Sequence, residues 1–226
     1  MVKGAIFPEI SLKTRIYTMK ILIAQPKLEK EIRQLEQEAL NHPSVDIIIF
    51  PEGYLNHNVE LACELAKTSN RIIISGHKKP KDRAIIINRN GVISLDRAKY
   101  DSSVIVEVEG KRIGHILCDE LVLQGLSGLA TSKIDFIAHP IGVGMFSEEQ
   151  FDEWIIEAKK IAVAYQTLVM GTSHADGSYR GSDVSIPIAY CVDENGQEVF
   201  IAKNDIRSRI LDTDTRTVEI IDVISS

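Results

Sequence analysis

Cysteine is scarce: the chain of 226 residues has three, Cys63, Cys118 and Cys191. An odd number at wide spacing is neither a disulfide framework nor a zinc signature. It fits a reducing compartment, so a cytoplasmic location is expected. Aromatic residues are also few, at 6%, with a single Trp, and the net charge is −6. No Lys/Arg cluster is interleaved with aromatics, so a nucleic-acid surface is not expected. The basic runs KKPK (residues 78–81) and IRSR (residues 206–209) read as solvated loop or edge residues. No apolar run approaches the ~20 residues of a membrane helix, so no membrane partner is expected. Residues 1–18 carry charges but no continuous apolar core and do not read as a signal peptide. They form an N-terminal extension ahead of MKILIAQP (residues 19–26), the first strand. With no repeat, low-complexity tract or Pro/Gly/Ser linker, residues 19–226 read as one domain.

What is present is a series of short Ile/Val runs of the kind buried on at least one face. They predict strands over 20–24, 46–50, 71–75, 84–88, 104–108, 112–117, 135–139 and 167–171. Asn90-Gly91 and Asn195-Gly196 mark hairpins. Helices are predicted over 27–41, with Leu28, Ile32, Leu35 and Ala39 on one face, and over 59–68, 121–131 and 147–166. The last opens with Ser147-x-x-Gln150, a capping box. Its Phe151, Trp154, Ile155, Ala158, Ile161, Ala162 and Tyr165 repeat at helical spacing and read as core. Early β-α alternation followed by a β-rich end predicts layered α/β with a mixed sheet. In such sheets reactive residues collect at strand carboxyl ends, where Glu52, Cys118 and His139 all fall.

Taken singly, each of these residues has an ordinary structural explanation. Glu52 ends the buried run DIIIFP and fits a helix-capping carboxylate as well as a base of raised pKa. Free cysteine is among the most buried residue types, and a Lys after a strand, such as Lys99, is a default surface residue. In combination they supply a nucleophile, a base and a cation for an oxyanion.

The order of these segments resembles the nitrilase or carbon–nitrogen hydrolase superfamily. The matching segments are KILIAQ (residues 20–25), Phe50-Pro51-Glu52, Asp96-Arg97-Ala98-Lys99, Gly110 to Cys118 (GKRIGHILC), and the strand ending at His139-Pro140. A Trp-bearing helix, Gly181-Ser182 and the turn at 193–196 follow, so the likeness runs from about residue 19 to the end. The resemblance implies a four-layer αββα sandwich and hydrolysis of a small amide through a thioester. Cys118 is then the nucleophile, Glu52 the base, and Lys99 the oxyanion stabiliser, helped by the backbone N–H of Asp119. Tyr54, Asp119, Glu120, His139 and Gly142 are the expected substrate-binding residues. No metal or organic cofactor is implied, and a homodimer is.

After Cys118 the chain reads Asp119-Glu120-Leu121, where the family usually continues Cys-Tyr-Asp and then an Arg-Phe-Pro-Glu-like run. A second supporting Glu is not identifiable, with Glu120 a weak candidate. This departure motivates an alternative expectation, a weakly active or inactive relative that binds a small ligand or partner protein. A third is a Cys–His enzyme using His139 or His174. Substrate choice is expected to rest on the loops 54–58, 141–146 and 173–183; Arg180 is a candidate for binding a substrate carboxylate, with an exposed loop Arg the commoner explanation.

Overall fold

The computed structural model describes residues 18–79, 82–102, 105–126 and 133–222. Its centre is built from isoleucine. In β1 (Lys20–Ile23), β2 (Ile47–Ile49) and β3 (Ile72–His77), the side chains of Ile21, Ile23, Ile47, Ile49, Ile72 and Ile74 share one core layer. Leu22, Ile48 and Ile73 join another, on the opposite face. Successive strand residues point to opposite faces, so a strand covered on both sides needs an unbroken apolar run. The three strands are parallel, with Ile21 opposite Ile47 and Ile47 opposite Ile72. The hairpin of β4 (Arg83–Ile87) and β5 (Ile93–Ala98) extends this sheet on one side. β12 (Ser208–Asp212) and β13 (Val218–Ile221) extend it on the other, in the order β13-β12-β1-β2-β3-β4-β5.

A second sheet contains β6 (Ile105–Val108), β7 (Lys111–His115), β8 (Phe136–Pro140), β9 (Leu168–Thr172), β10 (Ile188–Val192) and β11 (Glu198–Lys203). Its order is β11-β10-β9-β8-β7-β6, with β7, β8 and β9 parallel. Helices α1 (Arg33–Asn41) and α2 (Val59–Ser69) bury Leu35, Ala39, Ala62 and Ala66 on the outer face of the first sheet. The short α3 (Glu120–Leu123) and the long α4 (Glu148–Tyr165) cover the outer face of the second. With the two inner faces packed on each other, the layers run α, β, β, α. Among the described residues no helix is long and apolar enough to cross a membrane.

α4 starts where its capping box places it. The Gln150 N–H donates to Ser147 Oγ at 3.1 Å, and the Gln150 side-chain oxygen accepts from the Phe146 N–H at 2.9 Å. Trp154, 4% exposed, lies in the core. Two predicted helices are shorter than the sequence suggests. α1 begins at Arg33 rather than residue 27, because the Gln34 side chain bonds both the N–H and the carbonyl of Lys27 and holds that stretch as a loop. Leu28, expected on the core face, is therefore exposed. The helix predicted over 121–131 is helical only to Leu123, and residues 127–131 lie outside the described residues, as do residues 1–17.

Candidate active site

The two sheets deliver different parts of one site. Glu52 follows β2 and is 7% exposed; Lys99 directly follows β5. Cys118 leaves β7 of the other sheet after Ile116 and Leu117. Its backbone is left-handed, with φ 51, a conformation uncommon for a residue with a Cβ and one that persists only when the surroundings hold it. Here the Cys118 N–H donates to Pro140 O at 2.9 Å, and the Cys118 carbonyl accepts from Leu121 N at 3.1 Å and from His139 Nε2 at 2.7 Å. The bend turns the half-buried thiol toward Glu52 and the N–H of Gly142. Gly142 has to be small: a Cβ there would stand 2.8 Å from Glu52 Oε2.

Lys99 Nζ lies 3.0 Å from Glu52 Oε1 and 2.9 Å from Asp119 Oδ1. Burial pushes the Glu52 carboxyl above its ordinary value, and the Lys99 charge only partly opposes this. Burial alone would lower the Lys99 ammonium. The charges of Cys118 and Glu52 and hydrogen bonds to Asp119 and Glu52 outweigh burial and hold the group above its ordinary range. The Cys118 thiol is raised by burial first and by the Glu52 charge second, against Lys99 and the Gly142 N–H. Burial thus biases both the Glu52 carboxyl and the Cys118 thiol toward their protonated forms. The Asp119 N–H makes no hydrogen bond among the described residues.

The other expected substrate contacts divide. Asp119 and Gly142 stand at the thiol, but Tyr54, Glu120 and His139 are buried behind it. Tyr54, 1% exposed, points its hydroxyl away from Glu52, donating to Glu29 and accepting from Leu35 N of α1. Glu120 is fully buried and forms a two-pronged ion pair with Arg97, at 2.8 and 2.7 Å. It also accepts from Tyr100 N at 2.6 Å and Leu117 N at 2.7 Å, so its oxygens are occupied. His139 gives Nε2–H to Cys118 O and accepts at Nδ1 from the Tyr190 hydroxyl at 2.6 Å. Burial depresses it to about 4, which keeps it neutral.

His139 therefore has no ring nitrogen free to serve the thiol as a base. His174 donates from Nδ1 to Gly142 O at 2.6 Å. Arg180, the other loop residue singled out, stacks on Tyr179 at 5.1 Å. Arg97 was not singled out from the sequence, although strand alternation in Arg97-Ala98-Lys99 puts it on the Lys99 face.

A hollow of about 470 Å³ adjoins Asp119 and is lined by Val122, Phe146, Glu149, Glu153 and Trp154. A cleft of about 440 Å³ between α1 and β12–β13 is lined by Gln25, Gln34, Glu38, His42 and Ser208, among others, but by none of Glu52, Lys99 or Cys118. Among the described residues no group of three His, Cys, Asp or Glu side chains is placed to hold a metal ion.

Architecture and topology together define a nitrilase-type αββα sandwich. The structure is similar to a carbon–nitrogen hydrolase from Helicobacter pylori G27, with TM-score 0.72 and 13% identity over 88% of this chain and 91% of that one. It is similar also to an amidase from Nesterenkonia sp., with TM-score 0.74 and 11% identity over 86% and 90%. A Cys-to-Ala mutant of the Nesterenkonia sp. AN1 amidase in complex with butyramide matches with TM-score 0.73 and 11% identity over 88% and 93%. No protein-family model matches the sequence, and comparison with curated proteins gives no match.

Proposed function

We propose that the protein is a thiol-dependent hydrolase of the carbon–nitrogen bond of a small amide. The observation that carries this reading is the meeting of Glu52, Lys99 and Cys118 from two sheets around a thiol bent out of its strand. Glu52 takes the thiol proton as sulfur attacks the amide carbon. Lys99 and the Asp119 N–H face the oxyanion that forms, where preformed donors act most strongly. Glu52 returns the proton to the nitrogen, the carbon–nitrogen bond breaks, and ammonia or an amine leaves a thioester. Water then attacks the thioester, giving its proton to Glu52, and the acid departs as the thiol is restored. A carboxyl raised by burial suits this shuttle, since a base works best with a pKa nearer the working pH.

Short aliphatic amides are the first substrates to try. A similar amidase mutant was solved with butyramide, and another carries the acetamide moiety of fluoroacetamide on its active-site cysteine. Ammonia release from acetamide through butyramide should be lost in Cys118→Ala. Glu52→Gln should be slower by about 10²–10⁴-fold. Undiminished ammonia release by Cys118→Ala would overturn the reading.

A further inference from the structure

Two acidic residues follow the nucleophile, and two cations end the strand that faces them. Glu120 is locked to Arg97, and it also binds Leu117 N and Tyr100 N, the neighbours of Cys118 and Lys99. One buried carboxylate thus fixes the register between the thiol turn and the end of β5. In that register Asp119 meets Lys99 at 2.9 Å, and the Tyr100 hydroxyl steadies it from behind, donating at 2.8 Å to Oδ2 and lying 3.1 Å from Oδ1.

An ammonium has three N–H donors. Lys99 Nζ lies 3.0 Å from Glu52 Oε1 and 2.9 Å from Asp119 Oδ1, so two carboxylates share one ammonium. At the sulfur the Lys99 charge favours the thiolate and the Glu52 charge opposes it, while Asp119 draws the ammonium to its own carboxylate.

We propose that Asp119 is a positioning residue that holds the Lys99 ammonium between itself and Glu52 and keeps Cys118 latent until an amide is bound. This rests on the amide-hydrolase reading. It assigns to the side chain at this position a role separate from that of its backbone N–H.

The test pairs alkylation with turnover. Iodoacetamide labelling of Cys118 is followed by peptide mass spectrometry at one fixed pH, with Cys63 and Cys191 as internal references. The proteins are wild type, Asp119→Asn, Lys99→Met and the double variant, and ammonia release is measured alongside. Removing one carboxylate charge near a thiol changes its ionisation by about one unit, so Asp119→Asn should alkylate about tenfold faster. Its kcat should fall about tenfold or more with KM changed less than about twofold, because only the transition state uses the positioned ammonium. With Lys99→Met in place, the substitution should no longer lower turnover further.

Labelling that slows or stays constant in Asp119→Asn, or turnover that does not fall, overturns the proposal. If wild type releases no ammonia, the amide reading fails by itself, and faster labelling in Asp119→Asn still decides whether Asp119 keeps the thiol latent. Should Asp119→Asn misfold, Tyr100→Phe, which loosens the same carboxylate, is expected to move both readouts in the same directions by less.

Discussion

Glu120 is a single carboxylate that binds one guanidinium and two backbone N–H groups without contact with solvent. Removing its charge would leave Arg97 buried and unpaired. Breaking one partner of such a pair costs about 3–5 kcal/mol, so Glu120→Gln is expected to lower urea stability by that order. A loss below about 1 kcal/mol would show the pair to be dispensable. The placement of Glu52 and Cys118 is legible in the sequence because each ends a recognisable apolar run, and strand ends gather at one edge of a layered α/β fold; Lys99, after the mixed run ISLDRA, is legible only through the family resemblance. Asp119 meeting Lys99 is not legible, since it depends on the register between segments of different sheets. Tyr54 and Glu120 sit two residues from Glu52 and Cys118 in sequence yet are hydrogen-bonded elsewhere, because a turn at a strand end sends neighbouring side chains in different directions.

At the scale of elements, capping decides where helices begin. The Ser147 hydroxyl satisfies an N–H in the first turn of α4, and Ser147→Ala is expected to cost about 1 kcal/mol of stability. The decisive measurement is the urea midpoint, with turnover per folded molecule unchanged. The loop before α1 shows the opposite case. Its apolar spacing suits a helix, but the Gln34 side chain and the Asp176 carboxylate, which accepts from Leu28 N at 2.7 Å, claim its backbone groups. Spacing is visible in a sequence; competition for backbone hydrogen bonds by a residue far along the chain is not.

For the molecule as a whole, three buried histidines set the acid response. Burial holds His115 at about 3 and His139 and His174 at about 4, below the ordinary 6.5. The unfolded chain binds protons below pH 6.5 that the folded state refuses, so stability falls as pH drops from 6.5 toward 4. At pH 5 each group should contribute a loss of about 2 kcal/mol. Glu52, raised in the folded state, works in the opposite sense but is one group against three. The urea midpoint should therefore fall steeply between pH 7 and pH 5, and a flat profile would mean that these histidines are protonated in the native protein.

Glu52 and Lys99 belong to one sheet and Cys118 to the other. A polypeptide divided anywhere between residues 52 and 118 would send Glu52 and Cys118 to different pieces. The chemistry of one sulfur atom therefore reports on long-range order: its environment exists only while the two halves of the sandwich are docked. Pulsed iodoacetamide labelling during refolding, read at Cys118 by peptide mass spectrometry, would time that docking directly.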